Sequence, residues 1–438
     1  MDEILRKTMR ILVLLLPAVT LFGWFIVPTA SQSIDIIPFY LAIAVLLGLW
    51  YCIIARPVRP LGSVRIYCLF FIVMLIYACI SLLWVRNLGQ SFVSLYLQAI
   101  GVASALLIAA SIKERPSLYR LLDVLTVCYA AILILGIYEI YTGHFIFSPL
   151  NPELRLKNDH HLFFPYTVFG NTNDFATYVT LFMPFAAYDI IIRFKGWAGK
   201  LAGAALCAFA FFTIDNADAR ACEFAVVLTI AAFLFFIVLK RNMRRFVVPM
   251  LAGAAALLLA VIAYLVKSGA AARLLRSLMP TDDSVHKRLE LIKAAFRMLA
   301  DYHFMGVGVG NSVTLVPFYC SLTTQLNLHN FILQILTEYG IVIFVLFAAV
   351  LVAIAVKFFR YSTDARRDVV LCGLCFATVC SFPLVGIASS DMTHLTPVWL
   401  LWGLWFACLR IFYPEGKDIL DRIFGSKLLK RQSGASSE

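Results

Sequence analysis

Charged side chains are scarce in this sequence. Only 14% of its 438 residues are Asp, Glu, Lys or Arg, and 25 acidic residues face 37 basic ones. Soluble domains carry about 25% charge, so a water-facing globule is excluded. Gly-X-Y repeats, sustained heptads and long polar tracts are missing as well, which removes the collagen-like, coiled-coil and disordered classes. The apolar stretches are continuous rather than alternating, and that excludes a transmembrane barrel. A disulfide framework is also lacking. Cys52, Cys68, Cys79, Cys128, Cys207, Cys372, Cys375, Cys380 and Cys408 all fall inside apolar runs, where the thiol behaves as a small apolar group. Cys372 and Cys375 form a CxxC, but it has no partner ligands or redox-fold context. Neither a Walker-type phosphate loop nor an acidic pair spaced for a metal is found.

What fills the chain instead is hydrophobic residue, 62% of the total, gathered into runs long enough to cross a hydrocarbon layer about 30 Å thick. Twelve spans are predicted, at about 11–28, 36–55, 66–85, 92–112, 118–141, 174–193, 197–214, 222–239, 246–266, 331–356, 368–387 and 393–412. The fold class is therefore an all-α polytopic membrane protein. Residues 1–412 make one transmembrane domain of about 12 spans, a large outer loop at 267–330 lies within it, and a basic tail follows at 413–438. The charges orient it. With the N-terminus inside, 26 of the 37 Lys and Arg residues fall on the cytoplasmic side, and seven of the remaining 11 lie in the 267–330 loop. That is the positive-inside pattern, with both termini cytoplasmic. The net charge of +12 is thereby a matter of topology and gives no reason to invoke nucleic acid.

Function is sought where the outer connections break the pattern of short turns: about 142–173, the strip Asp215 to Ala221, and 267–330. A loop of that last length inside a compact domain is expected to be functional or a lid. Within it, Ser284 to Asp301 reads as an amphipathic helix with an apolar stripe of Val285, Leu289, Ile292, Phe296 and Leu299. Arg288 falls beside that stripe, which leaves it either turned toward the protein or snorkelling to water. The run GVGVGN, with Gly306, Gly308, Gly310 and Asn311, lacks the βαβ setting of a dinucleotide site and reads as a tight turn. His329 and Asn330 precede a span; a titratable group there is a functional candidate or an interface cap. Arg220 sits in an outer strip where the positive-inside bias disfavours it, so it has an anionic partner, either Asp215 or Asp218 or a ligand. Asn171, Asn173 and Asp174 open the sixth span, and Asp391 and His394 the last; helix capping accounts for both sets as readily as function.

Read in order, these residues resemble the O-antigen ligase family. His329, Asn330, Leu333 and Gly340 fit HNxxLxxxxxxG in HNFILQILTEYG, preceded by RLELIKAAFRML, GVGVGN, GNTNDFA and the ADAR strip. The resemblance covers about 170–340. It implies a GT-C-like glycosyltransferase in the bacterial inner membrane with its active site facing the periplasm. Such an enzyme moves polysaccharide from undecaprenyl diphosphate to a sugar hydroxyl of lipid A-core in lipopolysaccharide biosynthesis. No metal or other cofactor is implied. Carried over by position, His329 matches the family's essential histidine, a general base, and Arg220 and Arg288 its diphosphate-binding arginines. Asn330, Asn171, Asn173 and Asn311 are secondary candidates for substrate contact. The competing readings are an O-antigen polymerase, a protein O-oligosaccharyltransferase and, from a different class, a transporter using Asp123, Glu139, Asp189, Glu223 or Glu338. The last would set ionisable residues near the bilayer midplane.

Overall fold

The computed structural model describes residues 2–23, 27–28, 33–34, 37–55, 61–147, 156–157, 162–169, 171–240, 283–320, 327–361, 365–389, 391 and 393–413. Its described helices are α1 (Asp2–Phe22), α2 (Ile37–Ala55), α3 (Arg65–Ser81), α4 (Leu88–Ser111), α5 (Arg115–Thr142), α6 (Thr172–Arg193), α7 (Trp197–Asn216), α8 (Arg220–Leu239), α9 (Asp283–Asp301), α10 (Asn311–Tyr319), α11 (Phe331–Arg360), α12 (Arg366–Val385) and α13 (Thr396–Phe412). Two short antiparallel ribbons, β1–β2 (Val27–Pro28 with Ser33–Ile34) and β3–β4 (Leu156–Lys157 with Leu162–Phe163), complete the described elements. Eight of the helical segments are long and apolar enough to cross a membrane, and α2 and α13 contain shorter apolar helices. This is a multi-pass, all-α membrane protein. The ninth predicted span, 246–266, the stretch 267–282 and most of the 413–438 tail lie outside the described residues.

The first span needs correcting. Its expected course was 11–28, but α1 begins at Asp2 and ends at Phe22, and Val27 and Pro28 are extended in β1. Proline cannot donate to a helix ladder, and its ring disfavours helix in the residue before it.

Helix α13 lies at the centre. Nearly all its side chains are buried, including Trp399, Trp402 and Trp405. Trp402 meets Phe71 of α3 and Phe382 of α12 edge-on, at centroid distances of 4.9 and 5.6 Å, the geometry that aromatic quadrupoles favour. The closest helix pairings are α4 with α13 and α8 with α12. The first depends on Gly101, where an added Cβ would stand 2.1 Å from Cδ1 of Trp399. Gly101→Leu is therefore expected to destabilise by about 1–3 kcal/mol or more through overpacking, read as a lower apparent melting temperature in detergent. An unchanged midpoint would mean that α4 and α13 are not packed this closely.

Helix α5 measures the bundle: at about 1.5 Å per residue its 28 residues run about 42 Å. At its start, Arg115 pairs with buried Asp368 of α12 and Asp123 pairs with Arg193 of α6. At the same end Lys240, closing α8, donates to the carbonyls of Phe359 and Tyr361 at 2.6 and 2.7 Å. The other end of α5 carries the features that follow.

Candidate functional site

Glu139 stands one turn before the end of α5, with 1% of its surface exposed. Its Oε2 accepts from the backbone N–H groups of Tyr166 and Thr167, both at 2.7 Å. A buried carboxylate needs such donors, and these two fasten the segment that brings Phe164 and Tyr166 to the wall of a cleft of about 450 Å³. Thr167 is held at φ 49°, a left-handed conformation that costs a non-glycine residue free energy. Glu139→Ala would orphan both amides, at about 1–3 kcal/mol each. The expected result is faster amide hydrogen exchange across 164–169 with little change at the α13 core. Unaltered exchange there would remove the fastening role.

The opposite wall comes from helix starts. Asn171 caps α6, its Oδ1 accepting from the N–H of Asn173 at 2.8 Å, while Thr172 and Asn173 line the cleft. Asp174, in the first turn, accepts from Ser389 Oγ at 2.5 Å. Between α7 and α8 the chain turns through Asp218, at φ 53°, and Arg220 begins α8 with its Nε 4.0 Å from Asp218 Oδ1. That partly exposed, long pair is a weak contact. Asp218, Arg220 and Arg288 all line the same cleft. Residues 68 positions apart in the chain thus present two guanidinium groups to one space.

Arg288 arrives there because α9 sits in a different rotation from the one its pattern predicted. The buried face is Leu291, Ala294, Ala295 and Met298, packed on Leu315 and Val316 of α10 and Leu333 of α11, with Leu299 also buried. Leu289 and Phe296, expected in the core stripe, are 48% and 55% exposed. The small side chains of Ala294 and Ala295 permit close approach to neighbouring helices, and that contact outweighs the larger apolar residues. Arg288 lies one turn from Leu291 on the inward side, and its Nη1 donates to the Ile387 carbonyl at 3.4 Å. The segment between α9 and α11 also contains a further helix, α10, which the sequence pattern did not predict.

His329 is half-buried just before α11, at φ 48°. Burial, and then the nearby charge of Arg288, hold its imidazole below the ordinary value of 6.5. Both causes disfavour the cation, so the ring is neutral at neutral pH. It is not among the residues lining the cleft, and its nearness to Arg288 is what ties it to that space. Asn330 caps α11, with Oδ1 accepting from Leu333 N at 3.1 Å, and the next amide, Phe331, donates to Gly386 O at 2.8 Å. Asn311 is elsewhere. It is fully buried, donates to Val307 O at 2.8 Å and accepts from Arg86 N at 3.1 Å, so both ends of its amide serve the fold.

The glycine run is the clamp behind His329. Val307 and Gly308 donate to the carbonyls of Thr337 and Glu338 at 2.8 and 3.0 Å, and Ile341 donates back to Phe304 at 3.0 Å. Gly340 interrupts α11 at φ 74° and ψ 177°. Buried Glu338 accepts from Gly310 N at 3.0 Å and from Ser312 Oγ at 2.6 Å. In the sequence Glu139 and Glu338 stood out only as acids that a transporter would use; a lone carboxylate in an apolar run next to a Gly-rich or Asn-rich connection was the signal available. His394 bridges Ser94 Oγ at 3.0 Å and Asp391 at 3.3 Å, and Asp391 Oδ1 also accepts from Thr393 N at 2.9 Å. Among the described residues no three His, Cys, Asp or Glu side chains are grouped to hold a metal ion.

Residues 205–348 match the family model for O-antigen ligase. The match covers about a third of the chain. The matched segment takes in Arg220, α9 with Arg288, the glycine clamp, His329 and Gly340, while the α5 and α6 walls of the cleft lie before it. The chain is also 26% identical, over 353 residues, to the teichuronic acid biosynthesis protein TuaE of Bacillus subtilis (strain 168), an alignment covering 78% of this chain and 71% of the relative.

Proposed function

We propose that this protein is an O-antigen ligase that transfers polysaccharide from undecaprenyl diphosphate to a sugar hydroxyl of lipid A-core. The reaction takes place at the periplasmic face of the bacterial inner membrane, with both termini cytoplasmic. The observation that carries the reading is the meeting of Arg220 and Arg288 in one cleft, with a neutral imidazole within electrostatic reach of Arg288. Guanidinium forks grip phosphate oxygens bidentately and stay charged at all relevant pH. In the proposed step the acceptor hydroxyl oxygen attacks the anomeric carbon, the bond from that carbon to the diphosphate oxygen breaks, and the configuration inverts. The hydroxyl proton passes to His329, and the two arginines hold the charge left on the polyprenyl diphosphate. Asn173 and Tyr166, on the cleft walls, are placed to bind the glycan. Asn171 and Asn330 act through the helices they cap, and Asn311 has no part in binding.

The second reading is a polymerase that lengthens another lipid-linked chain. The likeness to a teichuronic acid biosynthesis protein favours it, since that name describes the making of a polymer. The deciding assay supplies purified protein with undecaprenyl-diphosphate-linked polysaccharide and lipid A-core, with EDTA present. Polymer on lipid A-core from the wild type, and at least about 100-fold less from His329→Ala, supports the ligase. Repeat units lengthening on the carrier while lipid A-core stays bare give the polymerase. Equal transfer by the His329→Ala protein removes the base. The lowered pKa fixes the pH response: the imidazole stays deprotonated as pH falls past 6.5, so transfer persists below that value and fails only at lower pH, where protonation takes the accepting lone pair.

A further inference from the structure

A second cavity, of about 510 Å³, lies at the opposite end of the bundle from the arginine cleft, between α1, α2 and α4. The two are separated by the length of α5, whose N-cap Glu114 borders the second cavity, while Glu139 near its other end meets Tyr166. Its walls are apolar: Val45 and Leu49 from α2, Ala103, Leu106 and Leu107 from α4, and Met9 from α1. One rim is charged, formed by Arg10, Lys113 and Glu114. Leu49 lines the space and is still 56% exposed, so the cavity opens along the outward side of α2. That side also shows Phe39, Ile43 and Leu46, a surface suited to lipid rather than water.

An apolar slot with a net positive rim, open to the hydrocarbon layer, matches a molecule with a long acyl chain and an anionic head. We propose that it binds an anionic glycerophospholipid of the leaflet at this end, one acyl chain lying between α1, α2 and α4 and the phosphate meeting Arg10 and Lys113. Basic pockets between transmembrane helices recognise lipid phosphates in this way. The volume falls within the roughly 300–1,000 Å³ range of ligand cavities. Arg10 pairs with Glu114 at 3.8 Å, and the two side chains are 33% and 66% exposed. So long and wet an ion pair is weak and yields to a phosphate without a large penalty. Gly48 also borders the slot. A Cβ there would reach Met9 Cε at 3.4 Å and Leu107 Cδ2 at 3.8 Å, ordinary contact distances, so a larger side chain at 48 fills the slot without a clash at its root.

The test is native mass spectrometry of the full chain in detergent, offered equal amounts of palmitoyl-oleoyl phosphatidylglycerol and phosphatidylcholine. The wild type is expected to retain phosphatidylglycerol preferentially. Lys113→Glu, a change of two charge units at roughly fivefold each, lowers that preference about 25-fold. Gly48→Leu weakens retention of both lipids. Equal retention of the two lipids by the wild type, or wild-type retention by both variants, overturns the site. Displacement of phosphatidylglycerol by millimolar inorganic phosphate, with no effect from Gly48→Leu, reassigns it to a free anion and overturns the acyl slot. Lys113 is exposed, so its variant folds and decides the matter even if Gly48→Leu does not.

Discussion

Replacing Arg288 with alanine is expected to lower glycan transfer by about 10²–10³, the loss seen when one preorganised charge-stabilising donor is removed from an active site. The loss should appear in kcat, because in the proposed step the arginine acts most strongly as charge develops on the departing diphosphate. Arg288→Lys should recover only part of it, since the ammonium keeps the charge and lacks the fork. A second readout separates this role from simple packing. The Arg288 charge is one of two causes that hold the His329 imidazole below 6.5, so Arg288→Gln should raise that pKa toward its ordinary value, with burial still opposing it. Histidine NMR titration in nanodiscs measures this directly. Transfer within threefold of wild type, together with an unmoved His329 titration, would remove Arg288 from the site.

The largest loss of stability is expected at Gly340. Its φ of 74° lies where side chains are rarely tolerated, and an added Cβ would stand 2.4 Å from both the carbonyl carbon and oxygen of Met305. Neither group is the flexible tip of a side chain, so Gly340→Val has no cheap relaxation. Left-handed strain of about 1–3 kcal/mol adds to overpacking of similar size, and together they reach several kcal/mol, enough to detach the glycine clamp from α11. The variant should accumulate poorly. Whatever is purified should show fast hydrogen exchange over 304–312. Normal yield and exchange would mean that the backbone break in α11 is dispensable.

Much of this was legible in advance, for uneven reasons. Apolar run length announces a spanning helix almost regardless of context, so the spans matched by α4 to α8 and by α11 to α13 were placed to within a few residues. The rotation of α9 was not legible. A helical stripe ranks residues by hydrophobicity, whereas the face actually buried was chosen by how closely Ala294 and Ala295 let α9 approach its neighbours. Arg220 was picked out because the positive-inside bias disfavours a cation in its strip, and Arg288 because it falls beside the apolar stripe of its helix, but their convergence required α8 and α9 to be set in space. Glu139 and Glu338 were visible only as misplaced acids. Their donors are mainly backbone amides, and a sequence does not say which amides will be left to satisfy. The glycines were rightly read as a turn; that the turn would receive the last residue of the histidine motif depended on Gly340 leaving the helical region.

The site also sets an order on the making of the protein. Arg288 leans on the carbonyl of Ile387, 99 residues further on, and the helix that carries the histidine motif is anchored through Phe331 to Gly386. A ribosome that has just finished α11 has therefore delivered every residue of the HNFILQILTEYG motif without the shelf on which Arg288 rests. Chains that end before residue 386 lack both acceptor carbonyls, so neither contact can form until the turn after α12 has been made.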